Sequence, residues 1–271
     1  MTLKQAYTKV LKALEDADID EAHFKALCLV CHINGVKNNM FNFYAQDEIN
    51  QNELENKLSL LLSGEPLQYV LGKWDFYESE FFVGRGVLIP RPETEELVDL
   101  AVNYLKNNNS PTVIDLCSGS GCIGISVAKK IKNSTVYCVE KSEDALYYLN
   151  LNANGVENVS VINADITKPL DLPLADIIVS NPPYIKTSVL SSLQNEVQKE
   201  PEMALDGGED GLYFYRVIND LYAKNIKDGG ALILEIGDDQ GESIKTALTN
   251  FSDIKVIKDL YGNDRMVVAK I

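Results

Sequence analysis

The sequence predicts an α/β fold: a mostly parallel seven-stranded sheet, with its last strand antiparallel, follows a small helical domain and a β-hairpin. Three observations support this fold class. Strand-like apolar runs alternate with helical patterns from residue 112 onward, as in a parallel sheet covered on both faces. The first 72 residues repeat their apolar side chains at helical spacing. Between these parts, residues 73–89 are rich in aromatic and β-branched side chains, which predicts a hairpin. The expected boundaries are 1–72 for the helical domain, 73–89 for the hairpin linker and 90–271 for the sheet domain.

The helical domain is predicted to contain three helices. In the first, apolar residues recur every three or four positions, at Leu3, Tyr7, Val10, Leu11 and Leu14. Asp20 is placed to cap a second helix, which should end at Asn34-Gly35. A third helix ends at Gly64, with Pro66 just beyond it.

Another helix should open the sheet domain after the hairpin. Pro92 suits its first turn, and the acidic residues that follow suit the positive end of the helix dipole. Arg91, Glu93 and Thr94 have two possible roles here. They could close over a ligand or support a binding loop, or Thr94 and the acids could simply cap the helix.

The remaining chain alternates between the two kinds of element. Strands are predicted over 112–116, 135–139, 159–163, 176–180, 231–236, 254–257 and 266–270. Helices are predicted over 122–131, 142–152, 188–199, 212–223 and 240–249. The last two strands are joined by a link too short for a parallel crossover, so the final strand should run antiparallel.

Composition limits the function classes. The formal net charge of −15 disfavours tight binding to phosphate backbones, so a protein partner is expected rather than a nucleic acid. No apolar run is long enough to span a bilayer, and the N-terminal residues lack the apolar core of a signal peptide. We therefore expect a cytoplasmic protein, a monomer, with its five cysteines reduced.

One cysteine grouping resembles a haem or metal motif. Cys28-Leu29-Val30-Cys31-His32 matches the pattern of c-type haem attachment, which requires export. Phe24, Leu27, Cys28 and Cys31 also fall at helical spacing, so an apolar helix stripe explains them. The chain has only two histidines, and no metal site is predicted.

A Gly-rich turn follows the first strand of the predicted sheet. Its glycines allow the backbone to approach a ligand closely. Glu140 ends the next strand, 19 residues after Gly121, where an acid can accept both hydroxyls of a ribose. Asp165 follows the third strand and could meet an adenine edge. The predicted cofactor-binding residues are Asp115, Cys117, Ser118, Gly119, Ser120, Gly121, Glu140, Asp165, Ile166 and Asn181.

The tetrapeptide Asn181-Pro182-Pro183-Tyr184 follows the fourth strand and is the most informative feature of the chain. The prolines have no N–H groups, so the loop is rich in free carbonyl acceptors. Asn181 adds a side-chain acceptor and Tyr184 an aromatic face. Together they predict a clamp for a flat, amide-like group.

Residues 119–124 spell G-x-G-x-x-G, which dinucleotide-binding proteins share with methyltransferases that use S-adenosylmethionine. Three features favour the methyl donor: the acid Asp115 before the turn, the antiparallel final strand, and the position of the Asn181 clamp. An NAD-dependent oxidoreductase is the alternative, but it would need a catalytic His or a Tyr-x-x-x-Lys motif near this site, and neither is convincing here.

With these segments in place, the chain resembles the bacterial release factor N5-glutamine methyltransferases, which are class I S-adenosylmethionine-dependent enzymes. The segments that carry the resemblance are 65–72, 88–95, 181–184, 200–212 and 264–265. In three places this sequence departs from the family pattern. Cys117-Ser118 replaces the more usual Gly-Thr, Glu140 stands where many relatives have Asp, and Ile166 where some have an aromatic residue.

The resemblance implies a Rossmann-like methyltransferase sheet, S-adenosylmethionine as cofactor with S-adenosylhomocysteine as product, and class I peptide chain release factors as partners. The methyl acceptor would be the side-chain amide nitrogen of the glutamine in their Gly-Gly-Gln loop. Asn181, Pro182 and Tyr184 become the candidate catalytic residues, and these three with Pro183 the candidate substrate-binding residues. The helical domain would recognise the substrate. Two alternatives stay open, an adenine-N6 nucleic-acid methyltransferase and a non-catalytic nucleoside-binding scaffold.

Overall fold

The structure, a computed structural model, describes residues 1–271. The helices are α1 (Leu3–Asp16), α2 (Ala22–Ile33), α3 (Gln51–Leu62), α4 (Leu67–Leu71), α5 (Pro92–Leu105), α6 (Cys122–Lys130), α7 (Glu143–Ala153), α8 (Tyr213–Tyr222) and α9 (Ser243–Ala247). The strands are β1 (Lys73–Phe76), β2 (Ser79–Phe82), β3 (Thr112–Leu116), β4 (Thr135–Glu140), β5 (Val159–Asn163), β6 (Ala175–Ser180), β7 (Ile226–Glu235), β8 (Asp253–Lys258) and β9 (Asp264–Lys270).

The chain divides into two compact units. One comprises residues 1–73 with 194–199, and the other comprises 74–193 with 200–271. In the first unit, α1, α2 and α3 bury an apolar stripe that includes Leu3, Leu29 and Leu54. Lys25 is 5% exposed there, and its ammonium pairs with the Glu196 carboxylate, so the short segment 194–199 belongs to the helical unit.

The second unit is built on a seven-stranded sheet with the order β5-β4-β3-β6-β7-β9-β8. Strands β3 to β7 pair in parallel, whereas β9 is antiparallel to both of its neighbours. The predicted fold class is therefore confirmed, including the antiparallel final strand. The short link between β8 and β9 forces these two strands into a hairpin, as the sequence indicated.

Alternating side chains supply a core on each face of the sheet. Ile114 and Leu116 belong to one buried cluster, while Val113 packs into the cluster on the other face. Because both faces of a parallel sheet are covered, every residue of such a strand can be apolar. Polar residues near the carboxyl ends of these strands therefore stand out: Asp115 in β3, Glu140 in β4, Ser180 in β6 and Glu235 in β7.

Several predicted helix boundaries were wrong. Residues 188–199 do not form a helix; they contain two short 3-10 turns, Thr187–Ser192 and Val197–Lys199, with no buried residue. A helix is stabilised mainly by burying its apolar face, and no residue of these two turns is buried. Asp20 does not cap α2, because Glu21 occupies the N-cap with a left-handed backbone and no side-chain cap bond. The last helix is also shorter than predicted, and β7 begins earlier.

None of the helices combines the length and the apolar character needed to cross a bilayer. Cys28 and Cys31 are both buried in α2, and burial, reinforced by the neighbouring Cys28, raises the pKa of the Cys31 thiol to about 11. A thiol with so high a pKa is protonated at neutral pH.

Candidate active site

A cavity of about 370 Å³ lies at the carboxyl ends of the central parallel strands. This is where ligands bind in open α/β sheets, and the volume is within the usual range for small-molecule sites. Nine of the residues predicted from the sequence line it, namely Cys117, Ser118, Gly119, Ser120, Glu140, Asp165, Ile166, Asn181 and Pro183. The fold therefore brings the Gly-rich turn and the Asn-Pro-Pro-Tyr loop to one cavity.

The Gly-rich turn joins β3 to α6 through a left-handed backbone. Gly121 has a φ of +81°, and a Cβ there would lie 2.3 Å from Leu149 Cδ1 and 2.7 Å from Ile125 Cδ1. Glycine is therefore needed for conformation and for space at this position. Cys117 also has a positive φ, of 59°. The Ser118 N–H donates to the Val139 carbonyl oxygen at 3.1 Å, which ties the turn to β4.

Asp115 lies behind this turn and is fully buried. One carboxylate oxygen accepts a hydrogen bond from the Gly124 N–H at 2.9 Å, while the other, Oδ1, has no partner. Burial raises the pKa of Asp115 from 3.8 to about 7, although the Gly124 bond opposes it. Asp115 does not line the cavity. In the structure it braces the start of α6, and its predicted contact with the cofactor stays a prediction.

Glu140 connects the turn to the end of β4. Its Oε2 accepts from the Gly119 N–H at 2.8 Å. Its Oε1 accepts from the N–H groups of Lys141 at 2.8 Å and Ser142 at 2.7 Å. A carboxylate has about four lone-pair sites, so three backbone donors leave Oε2 able to accept one more hydrogen bond at the cavity wall.

Asp165 and Ile166 form the wall beyond β5. Asp165 Oδ1 accepts from the Thr167 backbone N–H and hydroxyl, at 3.0 and 2.7 Å, and Oδ2 lies 3.0 Å from Lys141 Nζ. Burial raises the pKa of this carboxyl, but the Thr167 and Lys141 bonds outweigh it and hold the pKa at about 2. Ile166 is 4% exposed and offers an apolar surface beside this fixed charge.

Asn181 is positioned through Thr94, at the start of α5. Its Nδ2 donates to Thr94 Oγ1 at 3.3 Å, and Thr94 Oγ1 donates to Glu235 Oε2 at 2.6 Å. Thr94 is 2% exposed and lies in the first turn of α5, whose N-cap is Arg91. Of the two roles considered for Thr94, capping is therefore wrong, and contact with the loop is what the structure shows.

Tyr184 is held by the other carboxylate oxygen of Glu235. Its hydroxyl donates to Glu235 Oε1 at 3.3 Å, and its carbonyl oxygen accepts from Gln240 Nε2 at 3.1 Å. Burial raises the pKa of Tyr184, and the Glu235 charge raises it further. A Cβ on Gly207 would lie 2.7 Å from Tyr184 Cα, so the backbone at Gly207 packs closely against the Asn-Pro-Pro-Tyr loop. Tyr184 and Pro182 do not line the cavity.

Glu200 fixes the segment between the hairpin and α5. Its carboxylate pairs with the Arg91 guanidinium and accepts from the Ile89 N–H at 2.9 Å. The Glu200 side chain is 2% exposed and Arg91 lines the cavity, so a buried acid keeps this cation at the cavity wall.

The sequence analysis missed Glu235 and Gln240. Glu235 is 2% exposed and ends the apolar run of β7. An acid within an otherwise apolar buried strand is unusual, and this signal could have identified it. Gln240 carries no such signal, because it lies in the turn after β7, where a polar residue is ordinary.

Two family models match the chain. The model described as "Methyltransferase small domain" matches residues 96–209, and the one described as "PrmC N-terminal domain" matches residues 5–72. The fold resembles two structures of the hMettl16 catalytic domain in complex with MAT2A 3′UTR hairpins. Their TM-scores are 0.58 and 0.56 at 14% and 12% identity. The first match covers 70% of this chain and 75% of that one, and the second 83% of each. At this identity the likeness shows the fold alone.

Curated relatives are much closer in sequence. A protein of Thermodesulfovibrio yellowstonii named release factor glutamine methyltransferase is 38% identical over 251 residues, which is 89% of both chains. One of the same name from Clostridium acetobutylicum is 36% identical over 281 residues, covering 99% of this chain and 98% of the relative. Identity at this level along nearly the whole length shows that the chain belongs to the release factor glutamine methyltransferase family.

Proposed function

We propose that this protein transfers a methyl group from S-adenosylmethionine to the side-chain amide nitrogen of the glutamine in the Gly-Gly-Gln loop of class I release factors. Family membership supports the reaction. The structural observation that carries the proposal is the position of Asn181, which lines the cavity and whose side-chain nitrogen is already committed to Thr94. Its carbonyl oxygen is the group left to accept a hydrogen bond from a guest.

The cavity has groups that suit S-adenosylmethionine. The free lone pair of Glu140 Oε2 could accept from a ribose hydroxyl, and Ile166 offers an apolar wall to a flat base. Among the residues that line the cavity, the acids Glu140, Asp165 and Asp206 outnumber the cations Arg91 and Lys141, which favours a cationic ligand. When bound, the cofactor supplies an electrophilic methyl group on a positively charged sulfur.

The protein's task is to hold a poor nucleophile in place, because an amide nitrogen shares its lone pair with the adjacent carbonyl. Asn181 Oδ1 lies at the cavity and is the first acceptor. The second proposed acceptor is the carbonyl oxygen of the neighbouring Pro182, a residue that does not itself line the cavity. One acceptor on each N–H of the glutamine would fix its plane and favour positive charge on nitrogen. Positioning and electrostatics would then provide most of the rate enhancement. No general base is required before the nitrogen takes the methyl group, because the methylated nitrogen can release its proton to water afterward.

Replacement of Asn181 by Ala tests this function. We expect turnover with a Gly-Gly-Gln peptide to fall by roughly 10²-fold or more, as for loss of a key polar stabiliser. Affinity for S-adenosylmethionine, measured by calorimetry, should be largely kept. Asn163→Ala is the matched control, because Asn163 also ends a strand of the sheet and donates through Nδ2, to Glu143 at 3.2 Å, but lies outside the cavity. Near-normal turnover of the Asn181 variant would remove the clamp from the mechanism.

The helical unit is proposed to contact the body of the release factor, since a three-residue loop offers little surface for recognition. Its segment 40–44 exposes three large apolar side chains, and Phe43 is 81% exposed. We expect Phe43→Ser to weaken binding of the intact factor but not of a loop peptide. Tyr147→Ser, at another exposed aromatic residue, serves as control. If Phe43→Ser weakened the binding of the intact factor and of the peptide equally, this role would be contradicted.

A further inference from the structure

We propose that Thr94 and Glu235 act together as a positioning pair that sets the orientation of the Asn181 side-chain amide, so that its oxygen faces the methyl acceptor. The inference rests on the proposed function and adds two residues to it. Asn181 and Thr94 both line the cavity, whereas Glu235 lies behind them; Thr94 and Glu235 are proposed to act through the Asn181 side chain. Neither Asn181 nor any other amide has an intrinsic preference between its two orientations, so the surroundings must supply one.

Thr94 has one hydroxyl proton, and the 2.6 Å contact assigns it to Glu235 Oε2. That distance is typical of a charge-assisted O–H···O⁻ bond. With its proton committed, Thr94 Oγ1 can only accept at its contact with Asn181, so the group facing it must be the Asn181 NH2.

Two tyrosine hydroxyls fix Glu235. Its other oxygen accepts from the Tyr184 hydroxyl at 3.3 Å, and its backbone carbonyl accepts from the Tyr215 hydroxyl at 2.9 Å. Glu235 is 2% exposed, so water does not compete for the carboxylate. The Tyr184 hydroxyl therefore holds the carboxylate and the Tyr215 hydroxyl holds the backbone of Glu235, so that Oε2 faces Thr94.

The orientation of the Asn181 amide decides which of its two polar groups meets the substrate. A reversed Asn181 amide would present its NH2 to the NH2 of the substrate glutamine, a donor against a donor. The acceptor would be lost, and an unpaired donor would stand in its place. The pair thus decides whether the clamp can grip a carboxamide nitrogen at all.

Thr94→Val removes the hydroxyl while nearly keeping the shape of the side chain. We expect the single-turnover methylation rate of a Gly-Gly-Gln peptide to fall roughly 10- to 100-fold, the effect of leaving one polar group unpaired. Calorimetry should show little change in S-adenosylmethionine affinity, and Thr94→Ser should restore most of the rate. Should the valine variant fail to fold, Thr94→Ala removes the same hydroxyl with a residue that favours a helix.

A double-mutant cycle separates positioning from general structural support. In an Asn181→Ala background, Thr94→Val and Glu235→Gln should cause no further loss of rate, since the residue through which they act is absent. The proposal would be overturned if Thr94→Val or Glu235→Gln lowered the methylation rate of the Asn181→Ala protein by the same factor as in the wild-type protein. A normal rate in Thr94→Val would also overturn it.

A substrate-independent readout keeps this inference distinct from the proposed function. The side-chain NH2 signals of Asn181, assigned by their loss in Asn181→Ala, should exchange slowly with solvent in the wild-type protein and faster in Thr94→Val. If the wild-type protein shows this protection but methylates no release factor peptide, the proposed function is wrong, whereas the proposed orientation of the Asn181 amide is supported. If wild-type Asn181 shows no protection, the positioning pair is refuted.

Discussion

Asp115 gives the sharpest prediction for stability. The side chain is fully buried, and one of its carboxylate oxygens has no hydrogen-bond partner. Burial raises its pKa from 3.8 to about 7. An acid with a raised pKa binds its proton more tightly in the folded state than in the unfolded state. The contribution of Asp115 to stability is therefore fully present below its pKa in the unfolded state. That contribution is lost as pH rises through its pKa in the folded state.

The pKa values determine the size of the effect. A change from 3.8 to about 7 corresponds to about 4 kcal/mol of unfolding free energy. Between about pH 5 and about pH 8, this one group should account for roughly 3 kcal/mol of lost stability. Asp115→Asn removes the ionisation while its amide oxygen can still accept from Gly124, so the variant should lack this loss.

The assay is urea unfolding of both proteins at the two pH values. The difference between them isolates Asp115, because all other titrating groups are shared. We expect the wild-type protein to lose about 3 kcal/mol relative to Asp115→Asn as pH rises through this window. If the free energy of unfolding changed equally with pH in both proteins, Asp115 would not be a destabilising buried carboxylate.

Three further substitutions test the geometry of the site. Gly121→Ala should destabilise the protein by roughly 2–4 kcal/mol in urea unfolding, because its Cβ would clash with Leu149 at a positive φ; an unchanged midpoint would contradict this. Gly207→Ala should cost about 1–3 kcal/mol and lower turnover by displacing Tyr184, whereas Gly155→Ala, where an added Cβ meets nothing within 4 Å, should leave turnover unchanged. Glu140→Gln removes a charged acceptor and should weaken S-adenosylmethionine binding roughly 10-fold by calorimetry, with a smaller effect on peptide affinity; unchanged cofactor affinity would exclude it from the cofactor site.

The sheet and its cavity could be predicted because their signals are local. Each buried strand is a short apolar run, and Glu140 and Asn181 follow such runs directly. Parallel strands bring their carboxyl ends to one edge, so alternation alone placed these residues together. The segment 188–199 was wrongly predicted because its apolar residues recur at helical spacing, whereas no residue of its two 3-10 turns is buried in the structure.

The support beneath the clamp could not be predicted from local pattern. Thr94 and Glu235 are 141 positions apart and meet because β7 pairs with β6 while α5 packs nearby. Only the strand order brings them together, and the sequence does not specify that order directly. Tyr184 was expected to face the substrate, whereas its hydroxyl is anchored on Glu235, so its packing against the substrate stays a prediction.

The decisive measurement is mass spectrometry of a class I release factor after incubation with this protein and S-adenosylmethionine. We expect one added methyl group, located by fragmentation on the glutamine of the Gly-Gly-Gln loop. The Asn181→Ala protein should leave that glutamine unmodified over the same time. An unmethylated factor with the wild-type protein, or methyl groups found instead on adenine of a nucleic acid, would contradict the proposed function.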